Sequence, residues 1–241
     1  MTELSLVIPA YNEHDRIFHT LCEIEKTFDN PAVDYEVIVV DDGSTDETYT
    51  EVERAIAQNP RIRLIRQANG GKGSALKNGV SQTTGRLVSF IDADLDIHPY
   101  QLHLYMEIMQ KSGADIVIGS KRHPDSKVIY PWKRKVLSRC YQCMIAALFN
   151  LDVRDTQVGL KLFKRGPIAR IMPKVLVKKY AFDLEVLVNA THLGYRIVEA
   201  PIDLNFQRYE NRIKFRAIQD IFIDTLAVFY RLRVLKYYDK H

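Results

Sequence analysis

Three cysteines in 241 residues are too few for a disulfide framework, which points to a reducing compartment. Cys140 and Cys143 form a lone CxxC inside the apolar, helix-like run 139–149. With no second pair, the spacing argues against zinc, and buried structural thiols are expected rather than redox chemistry. Long hydrophobic runs are missing too: the longest, Ile221 to Tyr230, is broken by Asp224 and is too short to span a bilayer. The first strand starts almost at Met1, so no signal peptide is expected, and a cytoplasmic location is. The excess of positive charge is small, +4 from 34 Lys+Arg against 30 Asp+Glu. That balance, with no zinc-finger or RNA-recognition signature, excludes general nucleic-acid binding and suits a protein that handles phosphates or an acidic membrane surface. Internal repeats, low-complexity segments and linkers are also lacking, so one domain is expected.

What is present supports a large α/β fold. The chain is 46% hydrophobic and 27% charged, enough for a real core under a soluble surface. Its first half alternates strands and helices. Strands are expected at Leu4–Pro9, Tyr35–Val40, Arg61–Arg66, Arg86–Ile91 and Ala114–Gly119. Helices are expected from about Glu13, from Ser44 or Thr45 as caps to about Ala57, and from Gly71 to Ser81. Tyr35–Val40 is a continuous apolar run of the kind buried on both faces. This rhythm predicts a mainly parallel sheet covered by helices on both sides. In the second half, Lys121–Lys135 is basic, contains Pro124 and Pro131, and reads as a loop or lid. Helices follow at Lys133–Asn150 and Phe182–Leu193, a strand at Tyr195–Ala200, and an amphipathic helix at about Phe215–Tyr237.

Ligands in such sheets bind beyond the carboxyl ends of the strands, and the acidic motifs lie there. Phe90-Ile91-Asp92-Ala93-Asp94-Leu95-Asp96 reads as a strand ending in three carboxylates at alternate positions. Extended residues two apart point the same way, so Asp92, Asp94 and Asp96 can aim at one point. Carboxylates so placed repel unless a cation lies between them, and a hard divalent ion, Mg2+ or Mn2+, is the natural occupant. A solvated acidic loop is the bland alternative. Asp41-Asp42-Gly43-Ser44 can bind a nucleoside or simply cap a helix. Asn69-Gly70-Gly71-Lys72-Gly73-Ser74 can cradle a phosphate through Lys72 and the helix start, or can be a flexible turn. Asp183 and Glu185 can serve a site or complement a helix dipole.

In order, Val7–Glu13, Val40–Asp46, Gly71-Lys72-Gly73 and Asp92-Ala93-Asp94 resemble the family 2 glycosyltransferases of GT-A fold. Gly119–Arg122, Asp155–Phe163 and Phe182–Glu185 extend the likeness to the polyprenyl-phosphate sugar synthases, in particular the dolichyl-phosphate glucose synthases. The resemblance implies a GT-A domain with a nucleotide-binding half at about 1–120, an acceptor-side half at about 121–212 and a C-terminal helix at about 213–238. Pro9, Tyr11, Glu13, Val40 and Asp42 would hold the nucleoside, and Asp92 and Ala93 would contact the nucleotide. Asp92, Asp94 and Asp96 would surround Mg2+ or Mn2+; mannose-synthase relatives often carry Gln at the third position. Arg122 stands one place past the family's usual Arg, which Lys121 replaces. Arg208 and Lys214 keep a later basic spacing, with Asn211 and Ile213 where the family has Gly and Ser.

The implied reaction is inverting transfer of a hexose, glucose from UDP-glucose, to a polyprenyl phosphate. Charge builds on the departing diphosphate, where a metal and Lys or Arg side chains act. The acceptor phosphate is already anionic and needs positioning more than a base. Lys121, Arg122, Arg139, Arg208 and Lys214 are the residues expected to hold it, with Asp155 and Gln157 beside them. Transfer from GDP-mannose or another donor, or to a saccharide hydroxyl, is the second reading. A hydroxyl acceptor would need a base, with Asp183 or Asp155 as candidates. A non-catalytic nucleotide-sugar binder is the third. The C-terminal helix carries Phe215, Ile218, Phe222, Leu226 and Phe229 at helical spacing, with Arg231, Arg233, Lys236 and Lys240 towards its end. Such a helix can lie on the cytoplasmic face of a membrane or pack on the core or a second subunit.

Overall fold

The computed structural model describes residues 2–29, 33–129, 132–179, 181–205 and 215–240. Along the first half, β1 (Leu4–Ala10), α1 (Ile17–Phe28), β2 (Tyr35–Asp41), α2 (Thr48–Ile56), β3 (Ile62–Arg66), α3 (Lys72–Ser81), β4 (Leu87–Phe90), α4 (Gln101–Ser112) and β5 (Ile116–Ser120) alternate as the pattern requires. Then follow β6 (Lys127–Ile129), α5 (Trp132–Phe149), β7 (Lys161–Lys164), α6 (Arg165–Ile171), α7 (Phe182–His192), β8 (Ile197–Pro201), β9 (Asp203–Asn205), α8 (Phe215–Arg233) and α9 (Tyr237–Lys240). The main sheet has seven strands in the order β3-β2-β1-β4-β7-β5-β8. All its neighbours pair in parallel except around β7, which is antiparallel to both β4 and β5. β6 and β9 form a separate parallel pair.

Side-chain alternation divides the core into two layers. Leu4, Leu6 and Ile8 of β1 and Val37 and Val39 of β2 join Ile17, Leu21, Ile24 and Phe28 of α1, with Val52 of α2 and Leu102 and Tyr105 of α4. Across the sheet, Val7, Val88 and Phe90 meet Leu76 of α3, Ile168 of α6, Leu184 and Leu187 of α7, and Val228 of α8. A fully buried Leu or Ile contributes about 1.5–3 kcal/mol, so the two layers fix where each strand ends.

Several sequence expectations change. The first helix starts at Ile17 rather than Glu13, after a turn in which Asn12 has φ 55. Ser44 and Thr45 do not cap α2; the Ser44 hydroxyl accepts from Asn12 N, and Thr45 N donates to Asn12 Oδ1. Those bonds tie the exits of β1 and β2 together, and Asp46 Oδ1 accepts Thr48 N at 3.0 Å as the helix begins. The basic stretch 121–135 is not all loop, since β6 lies within it and α5 begins at Trp132. Cys143 is exposed on α5 rather than a buried structural thiol, and the side chain of Cys140 lies outside the described residues. The C-terminal helix ends at Arg233, and α9 is a separate short turn. Its expected stripe splits: Phe222 and Leu226 are exposed, whereas Phe229 packs edge-on against Phe149 at 6.0 Å. Thr225 and Val228 face inward instead. The side chains of Phe215 and Ile218 lie outside the described residues.

Candidate active site

The carboxyl ends of β1, β2 and β4 share one edge of the sheet. Their parallel register brings Pro9 beside Val40 and Ala10 beside Asp41, and Asp42 N donates to Ala10 O. Asp42 is 4% exposed and is spent on the glycine turn. Its Oδ1 accepts from Gly70 N at 2.8 Å and Gln67 Nε2 at 2.7 Å, and its Oδ2 from Gly71 N at 2.8 Å. That bonding lets Gly71 hold φ +90 at the start of α3, a conformation that a side chain disfavours. Asp41 is fully buried and is met by Ser44 N and Arg66 Nε. Val40 and Ala93 are buried, so only their backbone can meet a ligand, while the Tyr11 ring is 48% exposed at the rim.

β4 stops at Phe90, and residues 92–96 form a turn rather than an extended strand end. Leu95 has φ 57, and Asp94 Oδ1 accepts Asp96 N at 3.1 Å. The three carboxylates therefore do not project in parallel, which corrects the strand-based expectation. Among the described residues, no three His, Cys, Asp or Glu side chains form a ready-made metal cage. Thr20 Oγ1 and Arg16 Nη1 clamp the turn by donating to the carbonyls of Ala93 and Asp94. Asp92 Oδ1 sits 2.5 Å from Lys72 Nζ. Burial works against charge on Asp92, but the Lys72 ammonium outweighs it and holds the carboxyl below its ordinary range. Asp94 behaves oppositely. Burial first, then the charges of Asp92 and Asp96, with Glu13 behind them, push it up to about 6. A carboxylate raised by such neighbours fits a site that receives a divalent cation.

One short segment, 155–161, connects this acidic turn to the second half. Asp155 Oδ2 is 2.9 Å from Lys121 Nζ and also accepts Lys121 N, while Asp155 Oδ1 accepts Gln157 N. Gln157 Nε2 is buried without a hydrogen-bond partner. A Cβ on Gly159 would lie 1.9 Å from Asp92 Oδ2, so the carboxylate rests directly on the glycine. Lys161 is fully buried and donates to Asp183 Oδ1 at 2.6 Å and to Val158 O. Burial lowers its ammonium from the ordinary lysine range, against the pull of Asp183. Lys72, Asp92, Lys161 and Asp183 thus form an array of alternating charge.

The basic residues expected to hold an acceptor do not all converge. Lys121 reaches Asp155, but Arg122 turns to Ser138 O and Oγ on α5, and Arg139 is exposed. Arg208 and Lys214 lie outside the described residues. Gly159 and Lys161 fall within the motif Asp155–Phe163 but carried no role of their own, and Gln67 and Arg16 lie outside every motif. A lysine within the apolar run Leu160–Phe163 was the one local sign, because a buried strand rarely admits an unpaired ammonium.

The model of glycosyl transferase family 2 matches residues 5–172. The chain is 33% identical over 204 residues to Glycosyltransferase AglD of Haloferax volcanii, covering 83% of this chain and 33% of that protein. It is 33% identical over 214 residues to Dolichyl-phosphate beta-glucosyltransferase of Dictyostelium discoideum, covering 83% of this chain and 65% of that protein. Against Dolichyl-phosphate beta-glucosyltransferase ALG5C of Trichomonas vaginalis, identity is 30% over 253 residues, covering 98% of this chain and 74% of that protein. The chain thus spans a third and just under two thirds of the first two relatives. Glucosyl-3-phosphoglycerate synthase from Mycobacterium tuberculosis, solved with Mn2+, UDP and glucosyl-3-phosphoglycerate, superposes with TM-score 0.71 at 22% identity, over 95% of this chain and 79% of that one. The same synthase with Mg2+ and UDP gives TM-score 0.72 at 22% identity, over 95% and 78%. The shared fold is GT-A-like, and the chain belongs to glycosyl transferase family 2.

Proposed function

We propose that this chain transfers glucose from UDP-glucose to a polyprenyl phosphate, with inversion at the anomeric carbon. Relatives named as dolichyl-phosphate beta-glucosyltransferases support the lipid phosphate and the sugar. One observation favours a phosphate over a hydroxyl acceptor. Both candidate bases are already engaged by lysines, Asp183 by Lys161 at 2.6 Å and Asp155 by Lys121 at 2.9 Å. Neither is placed as a free acceptor for an alcohol proton, and an anionic phosphate needs none removed.

In this reading, the β1 and β2 exits, Pro9 to Glu13, Val40 and Asp42, frame the nucleoside, and Asp92 and Ala93 border it. Lys72 stands beside the diphosphate. Asp92, Asp94 and Asp96 would hold Mg2+ or Mn2+. A bound divalent cation offsets charge on the leaving diphosphate. Lys121, fixed by Asp155, faces the acceptor phosphate, and Gln157 lends its unpaired amide to the same wall. Labelled UDP-glucose with polyprenyl phosphate should give a lipid that releases glucose in mild acid, while the free polyprenol gives none. Products formed only on saccharides, or only from GDP-mannose, would overturn it.

We also place the chain peripherally on the cytoplasmic face of a membrane, where its acceptor lies. Among the described residues no helix is long and apolar enough to cross a membrane. The outer side of α8 nevertheless exposes Phe222, Ile223, Leu226 and Tyr230, followed by Val234 and Leu235. Arg233, Lys236 and Lys240 are exposed beside them, each worth about 1 kcal/mol on an anionic surface. The protein should float with anionic vesicles at low salt and lose most binding with Phe222→Ser and Leu226→Ser; unchanged flotation of that variant rejects this face.

A further inference from the structure

Glu185 is 0% exposed, although it sits in the first turn of α7. A helix dipole offers about 0.3–1 kcal/mol to a carboxylate there, far less than the several kcal/mol that burying the charge costs. Its hydrogen bonds account for the burial. Oε2 accepts from Leu176 N at 2.8 Å and Val177 N at 2.6 Å. Oε1 accepts from Tyr238 OH at 2.6 Å and Arg231 Nε at 3.1 Å. One carboxylate therefore joins a backbone segment to both C-terminal helices. The same helices hold that region at another point, since Lys174 Nζ donates to Tyr238 O at 3.0 Å.

The segment that Glu185 holds is the floor of the donor turn. Gly73 N donates to Lys178 O at 2.9 Å. The same carbonyl lies 2.6 Å from where a Cβ on Gly71 would be, so turn and floor touch. Between these two glycines is Lys72, whose ammonium reaches Asp92. We infer that Glu185 is a positioning residue for the donor site: gripped by Arg231 and Tyr238, it holds the 176–178 backbone against Gly71–Gly73, so that α8 and α9 set the place of Lys72. Naming that turn the donor site rests on the function proposed above, but the mechanical link does not. The outer face of α8 is the surface offered to the bilayer, so contact there reaches the turn through this carboxylate.

Amide hydrogen exchange tests the link without any substrate. Tyr238→Phe leaves the ring but removes the hydroxyl that donates to Glu185 Oε1 and accepts from Arg231 Nε at 3.2 Å; Arg231→Lys keeps the charge; Arg231→Met removes it. Losing the bond to Glu185 should speed exchange of the 70–76 peptide about five-fold, with 35–41 unchanged. In the transfer assay, Tyr238→Phe should raise the KM for UDP-glucose more than it lowers kcat, and Arg231→Lys should recover part of what Arg231→Met loses. If Arg231→Met fails to fold, Tyr238→Phe and Arg231→Lys decide. Faster exchange confined to 215–240, with 70–76 as in wild type, overturns the inference and leaves the cluster a plain anchor. If no donor is turned over by any variant, the function reading fails while the exchange result still decides the link.

Discussion

Adding one methyl group at Gly159 tests how tightly the acidic turn is built. Its Cβ would stand 1.9 Å from Asp92 Oδ2 and 2.6 Å from Cγ, so the carboxylate must retreat by about 1.5 Å to reach ordinary contact. On its other side Asp92 is fixed by Lys72 Nζ at 2.5 Å, so the retreat breaks or drags that pair. Gly159 has no positive φ, so alanine brings no backbone strain, and the cost to stability is about one off-rotamer side chain, ~0.5–1.5 kcal/mol. Catalysis suffers more, because displacing a site group by 1 Å costs on the order of 100-fold. Gly159→Ala should therefore melt within a few degrees of wild type and lose about 100-fold in kcat/KM for UDP-glucose. Gly166→Ala is the control: nothing lies within 4 Å of its added Cβ, and alanine suits a helix, so activity should be unchanged. Full activity in Gly159→Ala would refute the claim that Asp92 must stay where the glycine admits it.

Asp94 links stability to pH. Its carboxyl is raised from 3.8 to about 6, so its neutral form favours the fold below pH 4 and that benefit is lost as pH rises through 6. In EDTA, Asp94→Asn should melt above wild type at pH 8, by on the order of 1–3 kcal/mol, and lose that advantage near pH 4; transfer activity should be nearly abolished, and equal melting at pH 8 would contradict the burial argument. Lys161→Met strands Asp183, which is 8% exposed, and should cost about 3–5 kcal/mol in urea unfolding. The double variant Lys161→Met/Asp183→Asn should recover part of that loss; no recovery would mean that the pair is not the source.

The first half of the fold was legible because each element there carries its own period. Tyr35–Asp41 is buried through nearly its whole length, and Ile17, Leu21, Ile24 and Phe28 repeat at helical spacing along α1. β7 was not legible: four residues with lysines at both ends look like surface, and only the partner Asp183 explains burying Lys161. The ligand edge of the sheet was readable from the placement of the motifs after strands. The direction of each carboxylate was not, because Leu95 turns the chain between Asp94 and Asp96. The tasks of Asp42 and Glu185 depend on partners far along the chain, at Gly70 and Arg231, and such pairings leave no local pattern. For the C-terminal helix, one amphipathic stripe was expected where the structure has apolar residues on both sides, because Val228 and Phe229 pack inward beside the buried Thr225.

The reversed direction of β7 gives the sheet two rims of different kinds. A parallel strand delivers its last residue to the reactive rim, but β7 enters there with Lys161 and leaves with Lys164 about 10 Å away. Residues just upstream of β7 therefore lie at the rim where the proposed function puts the ligands, and those just downstream lie at the opposite rim. The quiet rim also holds Gly113, which closes α4 at φ +70 and so must stay glycine, though nothing lies within 4 Å on its Cβ side. A fluorophore or affinity peptide grafted beside Gly113 would ride on the rigid sheet yet stay clear of the cleft, giving a handle for immobilising the enzyme with its reactive rim facing a supported bilayer.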